Sequence, residues 1–121
     1  MLPDKIHLNE FGVINTGHHW AAYFHNDKRS EYFDPFGSYS FLNDKRAAIP
    51  RKIVKYLRSN NPKQSIVYNN ACIQNLNSQK CGCFAIKYIQ LRQSGLSAEQ
   101  TLKQFSEFPS NKNEQLALTA Y

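Results

Sequence analysis

Two aromatic-rich runs, His19-Trp20-Ala21-Ala22-Tyr23-Phe24-His25 and Glu31-Tyr32-Phe33-Asp34, flank the polar loop Asn26-Asp27-Lys28-Arg29-Ser30. Aromatic residues fit a pleated, half-buried surface, and a loop of this length closes a hairpin, so the stretch is constrained to two antiparallel strands. Asp34-Pro35-Phe36-Gly37 then ends the second strand, because proline lacks a ladder donor and restricts the residue before it. From Pro50 to Ser59 the apolar Ile53, Val54 and Leu57 fall at helical spacing, with Pro50 suited to a first helical position and bases on the other side. That stretch reads as an amphipathic basic helix. Gln64 to Tyr68 is a short β-branched run and reads as a third strand.

The second half of the chain is helical in pattern. Cys81 to Gln93 carries Phe84, Ala85, Tyr88 and Ile89 on one stripe and stops at Gly95, which predicts the most buried helix. Ser97 with Gln100 is a capping box opening a further helix to about Phe105, and the tail from Asn111 to Tyr121 is a weak helix or an arm. The order strand, strand, helix, strand, helix, helix points to an α+β domain, helices packed on a small antiparallel or mixed sheet. With 121 residues, 41% hydrophobic and 20% charged, residues 1–121 are expected to form one minimal domain, and no repeat or low-complexity tract divides them. No apolar run reaches the roughly 18 residues of a membrane span, and the amino terminus has no signal design, so neither a membrane partner nor secretion is expected. Three cysteines, Cys72, Cys81 and Cys83, are too few and odd in number for a disulfide scaffold, which makes reduced thiols the expectation.

The formal net charge is +6, and it is not spread evenly. Residues 45–63 hold seven bases and no acid, whereas the rest of the chain has eight bases and nine acids. Arg51, Lys52, Lys55 and Arg58 on the outer face of the basic helix are either a solvated face or a contact for DNA phosphates, whose affinity would fall steeply with salt.

Three segments attract chemistry: Gly17-His18-His19-Trp20, Tyr32 to Gly37, and Gln74 to Gly82. A cysteine in the first turn of a helix lies where the macrodipole and unpaired N–H groups favour an anion such as a thiolate. The same N–H groups, with the Gln74 amide, can donate to the oxyanion formed when a carbonyl is attacked. His19 and Asp34 sit on opposite arms of the hairpin, within cross-strand reach, so a carboxylate can hold the imidazole tautomer. Against this, Cys81 alone reads better as a small buried hydrophobe, and only the other motifs in register reverse that reading. His18, His19, Cys81 and Cys83 read as zinc ligands only against the usual ligand spacing. Trp20, Phe33 and Phe36 read as core aromatics, and His7 and His25 as surface or loop residues.

Taken together, Gly-x-His-Trp at 17–20, Phe33-Asp34-Pro35-Phe36-Gly37, and Gln-x6-Cys-Gly from Gln74 to Gly82, with Ser78 and Phe84, resemble the adenovirus-type cysteine proteases. The wider clan includes the SUMO-specific proteases, with nearer relatives in virophages and Maverick-type DNA transposons. The resemblance spans about residues 17–95 and implies an adenain-like, papain-like fold. It implies Cys81 as nucleophile, His19 (the histidine directly before Trp) as general base and later acid, Asp34 as orienter and Gln74 as oxyanion donor. Peptide hydrolysis through a thioester follows, after small residues such as glycine, on capsid or other virion precursors inside the virion or host cell, with no metal or organic cofactor. DNA is a stimulating partner of the adenoviral relatives. Those relatives have Glu at the position of Asp34, and neither Cys72 nor Cys83 matches the cysteine link to their activating peptide. The competing readings are a protease for SUMO or another ubiquitin-like modifier, and a catalytically silent nucleic-acid-binding module on the same fold.

Overall fold

The computed structural model describes residues 4–15, 20–36, 49–69, 73–74, 80–106, 108 and 110–119. Among them, strands β1 (Phe11–Asn15), β2 (Trp20–His25), β3 (Ser30–Phe33) and β4 (Ile66–Tyr68) form one sheet in the order β1-β2-β3-β4. β1, β2 and β3 pair antiparallel, while β4 joins β3 in parallel, with Ser30 opposite Ile66 and Tyr32 opposite Tyr68. A parallel pair needs a crossover, and here that connection carries helix α1 (Arg51–Leu57). Helices α2 (Cys81–Gln93), α3 (Ala98–Leu102) and α4 (Asn111–Leu118) follow. The architecture is α+β, as expected.

Alternation along the strands splits the core in two. Ala21, Tyr23 and Tyr32 face α1, where they meet Ile14, Ile53, Tyr56 and Leu57. Ala22 and Phe33 face α2 and pack with Phe84, Ala85, Tyr88 and Phe105, the Phe33 and Tyr88 rings stacking at 4.4 Å between centroids. α2 is pinned to the sheet by a buried ion pair. Arg92 grips both carboxylate oxygens of Glu31 at 2.8 Å, Tyr88 Oη donates to Glu31 at 2.6 Å, and the guanidinium lies 4.4 Å above the Phe24 ring. The bidentate bonds from Arg92 to Glu31 outweigh partial burial and raise the guanidinium pKa further, so Arg92 stays charged.

Local signals and structure agree closely in α2, which has the expected bounds, and in α3, whose capping box joins Ser97 and Gln100 in both directions. Gly95 ends the α2 segment at φ 108°, a left-handed conformation that glycine adopts without cost. Elsewhere the structure differs. β1 is an added strand. Its sequence, FGVIN, contains glycine and lacks strict alternation; it forms because β2 offers a partner, and Gly12 leaves room for the Tyr23 ring, which stands 3.1 Å from where a Cβ would lie. The hairpin turn is also tighter, with Ser30 already in β3 and Asn26 Oδ1 accepting from the Lys28 and Arg29 amides. Pro50 is the residue just outside α1, α3 stops at Leu102, and part of the tail is the helix α4.

Two side chains correct the sequence expectation. His25 is buried, not at the surface: Ser30 Oγ lies 2.6 Å from its Nδ1, and burial lowers the imidazole pKa. Trp20 is 41% exposed and not a core residue, because its ring lies against the α2 backbone at Gly82, outside either core cluster.

Candidate active site

Cys81 is the first residue of α2 and is half-buried with a free thiol. Its helix is oriented by the Phe84, Ala85 and Tyr88 contacts with β2 and β3 and by the Arg92–Glu31 clamp at the far end. The consequence is a specific meeting: the Trp20 backbone N–H donates to Cys81 Sγ at 3.3 Å. The Trp20 ring lies beside the next residue, where a Cβ on Gly82 would stand 3.7 Å from Trp20 Cδ1. The start of β2 and the start of α2 are therefore in direct contact. His19, the residue before Trp20, lies outside the described residues, as do His18, Cys72 and Ser78.

Asp34 follows β3 directly and is 2% exposed. Its carboxylate accepts from the Phe36 N–H at 2.9 Å, an Asx-type turn of the kind that favours Asp at a chain reversal. Burial and the Asp34 charge together push the neighbouring Tyr32 phenol well above its usual range. Gln74 is fully buried, and the amides of both Ile73 and Gln74 donate to the Pro35 carbonyl, at 2.9 and 3.1 Å. Asp34 and Gln74 are thus brought together through Pro35, as Cys81 and Trp20 are brought together through the sheet.

Two further residues hold this arrangement and were not legible as functional. Asn69, one step past β4, closes a two-way bracket on the Asp34 backbone: its Oδ1 accepts from the Asp34 N–H at 2.9 Å and its Nδ2 donates to the Asp34 carbonyl at 2.6 Å. The parallel register of β3 and β4 puts it there, and the only sequence signal is an Asn at the end of a strand run. Asn113 in α4 is fully buried; its Nδ2 donates to the Ile73 carbonyl at 3.1 Å and its Oδ1 accepts from the Ser106 N–H. The C-terminal helix therefore fixes the backbone next to Gln74.

Among the described residues no group of three His, Cys, Asp or Glu side chains could hold a metal ion, and no helix is long and apolar enough to cross a membrane. Arg51, Lys52 and Lys55 in α1 and Arg58 just after it are all exposed, on the side of the sheet opposite α2.

A model of the Ulp1 protease family, C-terminal catalytic domain, matches residues 11–118. No curated protein and no solved structure matches the chain. The match runs from β1 to the end of α4 and so covers Trp20, Asp34, Gln74 and Cys81. The chain belongs to the Ulp1 protease family, a family of cysteine peptidases within the clan that the adenovirus-type motifs indicate.

Proposed function

We propose that this protein is a cysteine endopeptidase in which Cys81 is the nucleophile, His19 the general base and acid, Asp34 the group that orients His19, and Gln74 an oxyanion donor. The observation that carries the reading is the 3.3 Å contact between the Trp20 N–H and Cys81 Sγ, since it sets the chain position adjoining His19 against the thiol. His19 takes the Cys81 proton as Sγ adds to the scissile carbonyl; the oxyanion is held by the Cys81 N–H and the Gln74 amide. Collapse breaks the C–N bond, with His19 returning the proton to the leaving amine. Water, deprotonated by His19, then cleaves the thioester and frees Cys81.

The resemblance to the adenovirus-type proteases implies small residues such as glycine before the cut, and the exposed Trp20 ring beside Gly82 adjoins the approach to the thiol. The substrates in this reading are capsid or other virion precursor proteins, processed in the virion or the infected cell by residues 1–121 acting as one minimal domain. The Ulp1 family match favours a second substrate class, the precursor of SUMO or another ubiquitin-like modifier. Both are tested by one set of incubations: a peptide with glycine before the cut, a modifier precursor with an extended carboxyl terminus, and the parent protein beside Cys81→Ala. Cleavage of the peptide by the parent alone supports the reading, preference for the modifier precursor assigns the second class, and cleavage of nothing, or cleavage that survives Cys81→Ala, overturns it.

A further inference from the structure

On the α1 side of the sheet, remote from the α2 helix that carries Cys81, a groove of about 860 Å3 opens between β1 and α1. Its volume lies in the range of sites that hold small ligands or short peptides. Lys5, Lys52, Lys55 and Arg58 converge on it, against Asp4 as the one carboxylate among the described lining residues. None of the four cations forms a salt bridge among the described residues, although Arg58 Nε donates to the Gln64 carbonyl at 3.0 Å. Gathering unpaired like charges in a concavity raises the local potential and draws in an acidic partner.

Three features describe that partner more closely. The wall on the strand side is β1, which among the described residues ends the sheet, so that from Phe11 to Ile14 the outer side of its backbone meets no other described strand, a surface to which an extended chain adds. Ile14 and the Tyr56 ring, which face α1, supply the apolar floor between the charges, which suits alternating acidic and apolar side chains at the period of a strand. β1 also runs towards the thiol: Asn15 at its end pairs with Trp20, whose N–H meets Cys81 Sγ.

We propose that this groove is an exosite that takes an acidic, extended segment of the protein substrate while the scissile bond lies at Cys81. The proposal rests on the protease reading for the identity of the partner, but the groove binds without catalysis. Duplex DNA is the competing occupant. Its rigid, convex backbone would use the whole basic face, including Arg51 and Lys63, which are exposed outside the groove, whereas an inserted chain depends on Lys52 and Lys55.

The test measures fluorescence anisotropy of a labelled peptide of alternating glutamate and valine titrated with the Cys81→Ala protein, so that failure of catalysis and failure of binding are read separately. Binding is expected, weakening with added salt and absent for the glutamine-valine peptide. Lys52→Glu/Lys55→Glu should weaken it by at least about tenfold, the scale of two close charge pairs, while Arg51→Glu/Lys63→Glu leaves it unchanged. In the active protein, an acidic stretch joined to a cleavable peptide should raise kcat/KM for the parent and not for Lys52→Glu/Lys55→Glu, with the neutral peptide cut equally by both. No binding, equal loss in both charge-reversal pairs, or displacement of the peptide by short duplex DNA at lower concentration overturns the proposal, the last two assigning the face to nucleic acid.

Discussion

The Trp20 N–H and the Cys81 sulfur are 3.3 Å apart although sixty-one positions separate them in the chain, so two motifs that are distant in sequence are one place in the fold. The first turn of α2 supplies the sulfur and the first residue of β2 supplies the amide. Any change that tilts α2 on the sheet separates them.

Cys81→Ala should leave the fold intact and remove hydrolysis. Cys81 is half-buried at a helix start, so truncation costs about 1 kcal/mol or less in unfolding free energy, while loss of a nucleophile lowers kcat by roughly 10³-fold or more. Urea titration beside a peptide-cleavage assay checks both.

If Asp34 orients His19 as proposed, Asn69 acts through Asp34 as a positioning residue. Asn69→Ala leaves the buried Asp34 N–H and carbonyl without the amide that brackets them, at a cost of about 1–3 kcal/mol. The displaced Asp34 should lower kcat with KM little changed, and Asn69→Asp, which keeps the acceptor for the N–H, should recover part of the loss. A purely structural role would lower stability without moving kcat.

Removing one member of the buried ion pair should be severe. Arg92→Met strands the Glu31 carboxylate, 3% exposed, at a cost of about 3–5 kcal/mol, whereas the double variant Arg92→Met/Glu31→Gln should be less damaged because no charge is left uncompensated. Denaturant midpoints for both single variants and the double variant close the cycle.

Stability should fall as pH drops from neutral, in two stages. Burial holds His25 below its ordinary 6.5, so its contribution is complete above that value and is lost as pH falls from there through the lowered folded value. Burial works to raise the Glu10 pKa, but bonds from Tyr23, Tyr56 and the His7 N–H outweigh it and leave it below 4.5. Its contribution is therefore complete above 4.5 and lost as pH falls through the folded value. Burial foremost, with the bond to Glu10, pushes the Tyr56 phenol up to about 12. Thermal unfolding across pH should show both losses, the upper one missing in His25→Phe and the lower one missing in Glu10→Gln.

What the sequence discloses is what neighbours along the chain decide. α2 is legible because its apolar stripe and Gly95 are local, and the Ser97–Gln100 box is legible because both partners lie within one turn. β1 is not, since Phe11–Asn15 becomes a strand only through pairing with β2. Trp20 and His25 depart from the sequence expectation for the same reason: whether an aromatic ring enters a core or lies against a helix, and whether a histidine is covered, depends on elements far away in sequence. Asp34, Gln74 and Cys81 stand out as candidates by residue type, spacing and the family resemblance. Asn69 and Asn113 do not, because their amides act on backbone groups that only the folded chain brings within reach.

The central claim is that Cys81 is a thiol activated by His19, and competitive labelling tests it most directly. The protein is exposed to a limiting amount of iodoacetamide at neutral pH, and modification of Cys72, Cys81 and Cys83 is quantified by peptide mass spectrometry in the parent and in His19→Ala. Rapid, selective modification of Cys81 that disappears in His19→Ala is predicted. Equal, slow modification of all three cysteines, unchanged by His19→Ala, would contradict the account.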